Sequence, residues 1–171
     1  MIVTKIFSAD GVKLLNAIQR LEKKSVAVGW FEKSHYDDGT QVATVAAQNE
    51  FGNPNKNIPA RPFMRPTVIH DKKKWEKLTT DGAKKILKGE LTIDNVLDLL
   101  GKQVTVDIKD TISKIYYPAL AERTVLARIE RSSKLSRIKG PIKNATLGSV
   151  TKPLIDTGVM FNTITHELRD E

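Results

Sequence analysis

The stretch TIDNVLDLLGKQVTVDIKDTISKIYYP, residues 92–118, decides the fold class. Ile93, Val96, Leu97, Leu100, Val104, Ile108, Ile112 and Ile115 recur close to the 3.6-residue period, with Lys102, Asp107, Lys109 and Asp110 off that face. Thr92 opens this long amphipathic helix and Pro118 closes it. Its β-branched content makes it depend on tertiary packing more than on intrinsic propensity. Downstream, residues 119–131 are loosely helical, with Leu120, Thr124, Ala127 and Arg128 in phase. Residues 132–151 are rich in Ser, Gly, Pro and Asn, and carry Lys134, Arg137, Lys139 and Lys143 with no acidic residue. They read as a long basic loop, a kind that is usually functional or mobile. Pro153 to Gly158 makes a turn, and Phe161 to Leu168 a helical turn running into a last strand.

Upstream, residues from Pro66 read as helix, with Val68, Trp75, Leu78, Ile86 and Leu87 among lysines and Gly89 as the stop. Ile58 to Pro66 contains Pro59, Pro62 and Pro66, which predicts extended chain and excludes helix. Asn53 to Asn57 is a loop, and Thr40 to Gly52 a helix capped by Thr40 after the turn Tyr36-Asp37-Asp38-Gly39. Residues 25–31 and 2–7 read as strands, with a helix between them marked by Val12, Leu15, Ile18 and Leu21. The expected fold is α+β: a small, mainly antiparallel sheet from the two early strands, a short one near Phe63 and the C-terminal one. Helices pack on one face. A single domain over 1–171 carries a proline-rich extended arm (53–66) and the basic loop (132–151).

The chain has 171 residues and 19.1 kDa, enough for a packed core without a disulfide or metal staple. It has no cysteine, which excludes disulfide frameworks, zinc ribbons and thiol nucleophiles. A net charge of +8 and a pI near 9.6 favour anionic neighbours. No apolar run reaches the roughly 20 residues of a membrane span, and the first residues lack the pattern of a signal peptide, so a cytoplasmic setting is expected.

Catalytic patterns are missing. His35, His70 and His166 are far apart in sequence, and His35 with Asp37 and Asp38 reads as a solvated turn. There is no phosphate-binding loop, dinucleotide fingerprint or nucleophile elbow. Asp156-Thr157-Gly158 spells the aspartic protease triplet, but that chemistry needs a second carboxylate from a second copy, and there is none. A structural turn is the better reading of Asp156, Thr157 and Gly158. No enzyme, cofactor or metal is expected. Lys72, Lys73, Lys74, Lys77, Lys84, Lys85 and Lys88 read first as a solvated helix face and second as a nucleic-acid surface.

Two blocks are more specific. The first is AAQNEFG (46–52) followed by IPARPFMRP (58–66). The second runs from YPALAERT (117–124) through Ala127-Arg128 to KPLIDTG (152–158) and NTIT (162–165). Together, in pieces covering about half the chain, they resemble the tail-completion (virion morphogenesis, neck) proteins of tailed bacteriophages. Met160-Phe161-Asn162-Thr163 stands where that family usually has Leu-Arg-Asn-Ser.

The resemblance implies a non-enzymatic structural protein in the virion neck or tail, assembled in the bacterial host cytoplasm as a hexameric or dodecameric ring. Its expected partners are further copies, other neck proteins (head-completion or connector, tail terminator or tail tube) and packaged DNA passing through the ring, with no membrane. A tail terminator or a basic nucleic-acid-binding accessory protein is the alternative. Within it, Arg61, Pro62, Phe63, Met64 and Arg65 are the expected subunit contact: a stiff arm with forked donors and apolar anchors. Lys134, Arg137, Lys139 and Lys143 are expected to meet an acidic partner or DNA.

Overall fold

The structure, a computed structural model, describes residues 23–139 and 151–170. The expected strand 2–7, the helix after it and Lys143 lie outside these residues. The chain is an α+β protein with helices around a small antiparallel sheet. In order come β1 (Lys24–Gly29), α1 (Val42–Phe51), α2 (Met64–Leu87), α3 (Ile93–Lys114), α4 (Glu122–Lys139), α5 (Val159–Thr163) and β2 (Thr165–Asp170). No helix among the described residues is long and apolar enough to cross a membrane.

The chain divides into two compact units. The first takes its described residues from Met1–Gly29, His70–Val106 and Thr165–Glu171, the second from Trp30–Ile69 and Asp107–Ile164.

In the first unit β1 and β2 pair antiparallel, with Lys24 opposite Asp170 and Val28 opposite His166. A two-stranded ribbon is marginal in water without a helix beneath it. Here the His166 ring lies against Gly101 of α3, so closely that a Cβ there would collide with it. Its Nε2 is 2.9 Å from Asp98 Oδ1 on the same helix. Lys24 bridges the other end, 2.6 Å from Asp94 of α3 and 3.3 Å from Asp170 of β2. Gly82 of α2 meets Val96 of α3 in the same close manner.

Several helix boundaries follow the local chemistry. Thr92 and Asn95 cap α3 reciprocally: the Asn95 N–H donates to Thr92 Oγ1 and the Thr92 N–H to Asn95 Oδ1, both at 3.2 Å. Gly52 and Gly89, at φ 78° and 75°, end α1 and α2.

Other expectations are corrected. The short strand near Phe63 is absent. Phe63 directly precedes α2, which begins at Met64, so the exclusion of helix up to Pro66 fails. Pro66 sits in the first helical turn, where a missing N–H costs nothing. Thr40 is not the cap of α1. Gln41 occupies that position, and the Thr40 N–H donates to Asp38 Oδ1 instead. The expected basic loop begins as helix: α4 continues to Lys139 and carries Lys134, Arg137 and Lys139. Helical propensity over 132–139 outweighs its serines.

Candidate functional site

The second unit contains the first sequence block and the second as far as Ile164. Val42, Ala46 and Glu50 form the buried face of α1. Glu50 is a carboxylate only 4% exposed, so it must be satisfied internally. Its Oε2 accepts the N–H groups of Phe63 (2.6 Å) and Met64 (2.9 Å), and Oε1 accepts the Arg65 N–H (3.2 Å) and Nε (2.8 Å). Arg65 Nη2 also donates to the Glu50 carbonyl at 2.8 Å. Glu50 thus caps α2 from a distant helix, taking donors that have no partner inside α2. Burial pushes its carboxyl up. The Arg65 side chain and the three backbone N–H groups outweigh that and leave it below the usual carboxylate range.

Residues 53–58 close on themselves rather than extend. The N–H of Asn53 and of Ile58 each reach the other's carbonyl, at 2.8 and 2.9 Å, around a short 3₁₀ turn at Pro54–Lys56. Gly52 allows this return: a Cβ on it would lie 2.9 Å from the Ala60 nitrogen. The Arg61 N–H then donates to the Asn49 carbonyl at 2.7 Å.

The residues expected to contact another subunit therefore divide. Arg61 is 5% exposed and Phe63 fully buried, which corrects their assignment to an intersubunit surface. Arg61 donates Nε to the Pro118 carbonyl (2.7 Å) and Nη2 to the Ala119 carbonyl (3.0 Å), beside the cis Tyr117–Pro118 peptide. Phe63 meets Trp30 edge to face at 5.7 Å, and the Trp30 indole N–H donates to the Met160 carbonyl at 2.8 Å. Pro62 and Arg65 remain exposed and Met64 half-buried. The arm packs inward because its backbone N–H groups, the Arg61 guanidinium and the Phe63 ring find partners within its own unit.

Arg128 organises the second block. It is 9% exposed and donates to the carbonyls of Lys152 (2.7 Å), Ile155 (3.2 Å) and Pro153 (3.3 Å). Asp156 Oδ1 lies 3.4 Å from Arg128 Nε, and Oδ2 is 3.0 Å from Arg131 Nη1. Asp156 is thus the counter-ion of α4. Thr157 Oγ1 accepts the Val159 N–H at 3.4 Å, and Gly158 turns at φ 80° into α5, which leads to β2. Sequence reasoning missed the roles of Glu50, Arg128 and Trp30. An acidic residue beside Phe-Gly, before a chain with three prolines, was the available signal for the first.

These parts enclose a cleft of about 800 Å³. Its walls carry Lys56, Arg61, Arg123, Arg128 and Arg131 against Asp38 and Asp156. Burial and then repulsion from Arg128 lower the Arg61 guanidinium from its ordinary value, yet arginine stays charged. Burial, then Asp156 and Asp38, raises the Tyr36 hydroxyl. Among the described residues no three His, Asp or Glu side chains gather where a metal could be held.

Of the residues expected to meet an acidic partner or DNA, Lys134, Arg137 and Lys139 belong to α4. Against known proteins, the chain matches no family model, no curated protein and no solved structure.

Proposed function

We propose that this chain is a structural, non-catalytic assembly protein of a tailed bacteriophage, acting in tail completion or head–tail joining. The observation that carries the reading is the bond between the two resemblance blocks. Arg61 of IPARPFMRP holds the Pro118 and Ala119 carbonyls of YPALAERT. Residues quoted for likeness alone are thus the ones that lock to each other in space, as a shared architecture requires. Glu50 with Arg65, and Arg128 with the KPLIDTG turn, extend the same lock.

Such a module supports assembly by presenting a rigid surface. The surface proposed for neighbouring subunits moves from Arg61 and Phe63 to exposed groups of the same unit. Phe51 is 68% exposed beneath the Arg65 guanidinium, and Tyr116 and Tyr117 are 60% and 85% exposed. Leu126 and Ile129 of α4 add aliphatic area. Aromatic and arginine side chains are enriched in interfaces, and exposed apolar clusters mark them.

A phage lacking this gene is expected to accumulate filled heads and separate tails. Normal infectious particles from the deletion would end the proposal. Tails of irregular length would instead favour a tail terminator. The exposed lysines of α2, Lys72 to Lys74 among them, favour a second reading as a nucleic-acid accessory protein. That reading requires steeply salt-dependent duplex binding, lost when those three lysines are substituted.

A further inference from the structure

The cleft of the second unit has more cationic capacity than its own fold consumes. Arg61 and Arg128 are committed to backbone carbonyls, and Arg131 shares Asp156 with Arg128. Arg123, in the first turn of α4, and Lys56, on the opposite loop, are exposed. Among the described residues neither side chain has a hydrogen-bond or ion-pair partner. Both line the cleft. The committed arginines add a fixed positive field behind them, and low-dielectric walls concentrate it.

We infer that this cleft is a binding site for a short acidic peptide segment of a partner protein, with its carboxylates held by Arg123 and Lys56. The rest of the lining says why a peptide is the occupant. Val45, Ile58, Leu120 and Val159 offer apolar wall between the charges, and Asn49 and Asn57 offer amide groups that match a backbone. About 800 Å³ lies within the range of sites that enclose a compact ligand. A nucleic-acid strand needs a continuous cationic track with aromatic platforms. Asp38 and Asp156 interrupt any such track, and among the described residues Tyr36 is the one aromatic side chain of the lining. A peptide avoids the conflict by setting its acids on Arg123 and Lys56 and its backbone amides on Asn49 and Asn57. The cleft and its cations are the same whether or not the chain belongs to a virion.

The test is fluorescence anisotropy on the full chain, with three labelled probes: a short peptide alternating Asp and Leu, the same peptide with Asn for Asp, and oligothymidine. The Asp peptide is expected to bind at least about tenfold more tightly than the Asn peptide, equivalent to ~1.4 kcal/mol. The double variant Arg123→Glu with Lys56→Glu should lose the Asp peptide and gain a Lys–Leu peptide, with an unchanged circular dichroism spectrum. Arg123→Gln with Lys56→Gln, which removes charge without reversing it, should weaken the Asp peptide and gain nothing. No binding of the Asp peptide, equal binding of the Asn peptide, or full binding by folded double variants would each overturn the inference. So would displacement of the Asp peptide by oligothymidine at lower concentration than by unlabelled peptide, since the occupant would then be a nucleic acid.

Discussion

Replacing Glu50 by alanine removes one acceptor group from four donors: the N–H groups of Phe63, Met64 and Arg65, and Arg65 Nε. Loss of a helix N-cap costs about 0.5–2 kcal/mol. The Phe63 N–H lies in a fully buried residue and water cannot replace the carboxylate there, which adds about 1–3 kcal/mol. The Arg65 ion pair adds about 1 kcal/mol at most, because that side chain is 56% exposed and screened by solvent. Together these span about 1.5–6 kcal/mol, with a midpoint of about 4 kcal/mol, for Glu50→Ala. For a chain of this length that midpoint lowers Tm by roughly 8–16 °C. Glu50→Gln keeps one of the two oxygens but turns an NH₂ toward two donors, so about half the loss is expected.

The pH dependence follows from the direction of the shift. The folded carboxyl lies below its ordinary value of 4.5, so its contribution is complete above that value and disappears as pH falls through the lower folded one. The stability gap between wild type and Glu50→Gln should therefore narrow on acidification. Urea unfolding followed by circular dichroism, at neutral and acidic pH, measures both quantities. Arg65→Ala is the control and should cost about 1 kcal/mol or less, since its partner keeps three backbone donors. Were Arg65→Ala as damaging as Glu50→Ala, or the gap to glutamine independent of pH, Glu50 would be no helix cap.

Three further outcomes are expected. Gly101→Ala should destabilise by about 1–3 kcal/mol despite the better helix propensity of alanine, because the new methyl meets the His166 ring. In a His166→Ala background the same change should become neutral or stabilising, and a double-mutant cycle by thermal unfolding reads the difference. Arg61→Lys should cost about 1–2 kcal/mol, because a point ammonium cannot reach the Pro118 and Ala119 carbonyls as a fork does. Urea midpoints check it, and no change would mean the two blocks are not joined there. Trp30→Phe keeps an aromatic ring against Phe63 but leaves the buried Met160 carbonyl without its donor, at about 1–2 kcal/mol. A midpoint equal to wild type would show that water replaces the indole.

Local signals were sufficient wherever the chain's own geometry closes a structure. The 3.6-residue stripe from Ile93, the cap at Thr92 and the glycines at 52 and 89 depend on neighbours within a few residues, and they were legible from the sequence. The turn at Asp156 to Gly158 was legible as a turn, but not as the counter-ion of α4, since Arg131 is 25 residues away. The basic tract after Ser132 misled in the opposite way, because serine content suggested a loop while the helix carried through to Lys139.

Only the tertiary structure decided which way the proline-braced segment faces. Arg61, Phe63 and Arg65 look the same in sequence whether they serve a neighbour or their own unit. The choice depends on a carboxylate at Glu50, two carbonyls at Pro118 and Ala119, and an indole at Trp30. A guanidinium or a buried N–H will take whichever partner removes it from water. Sequence spacing records that need, and the fold alone supplies the partner.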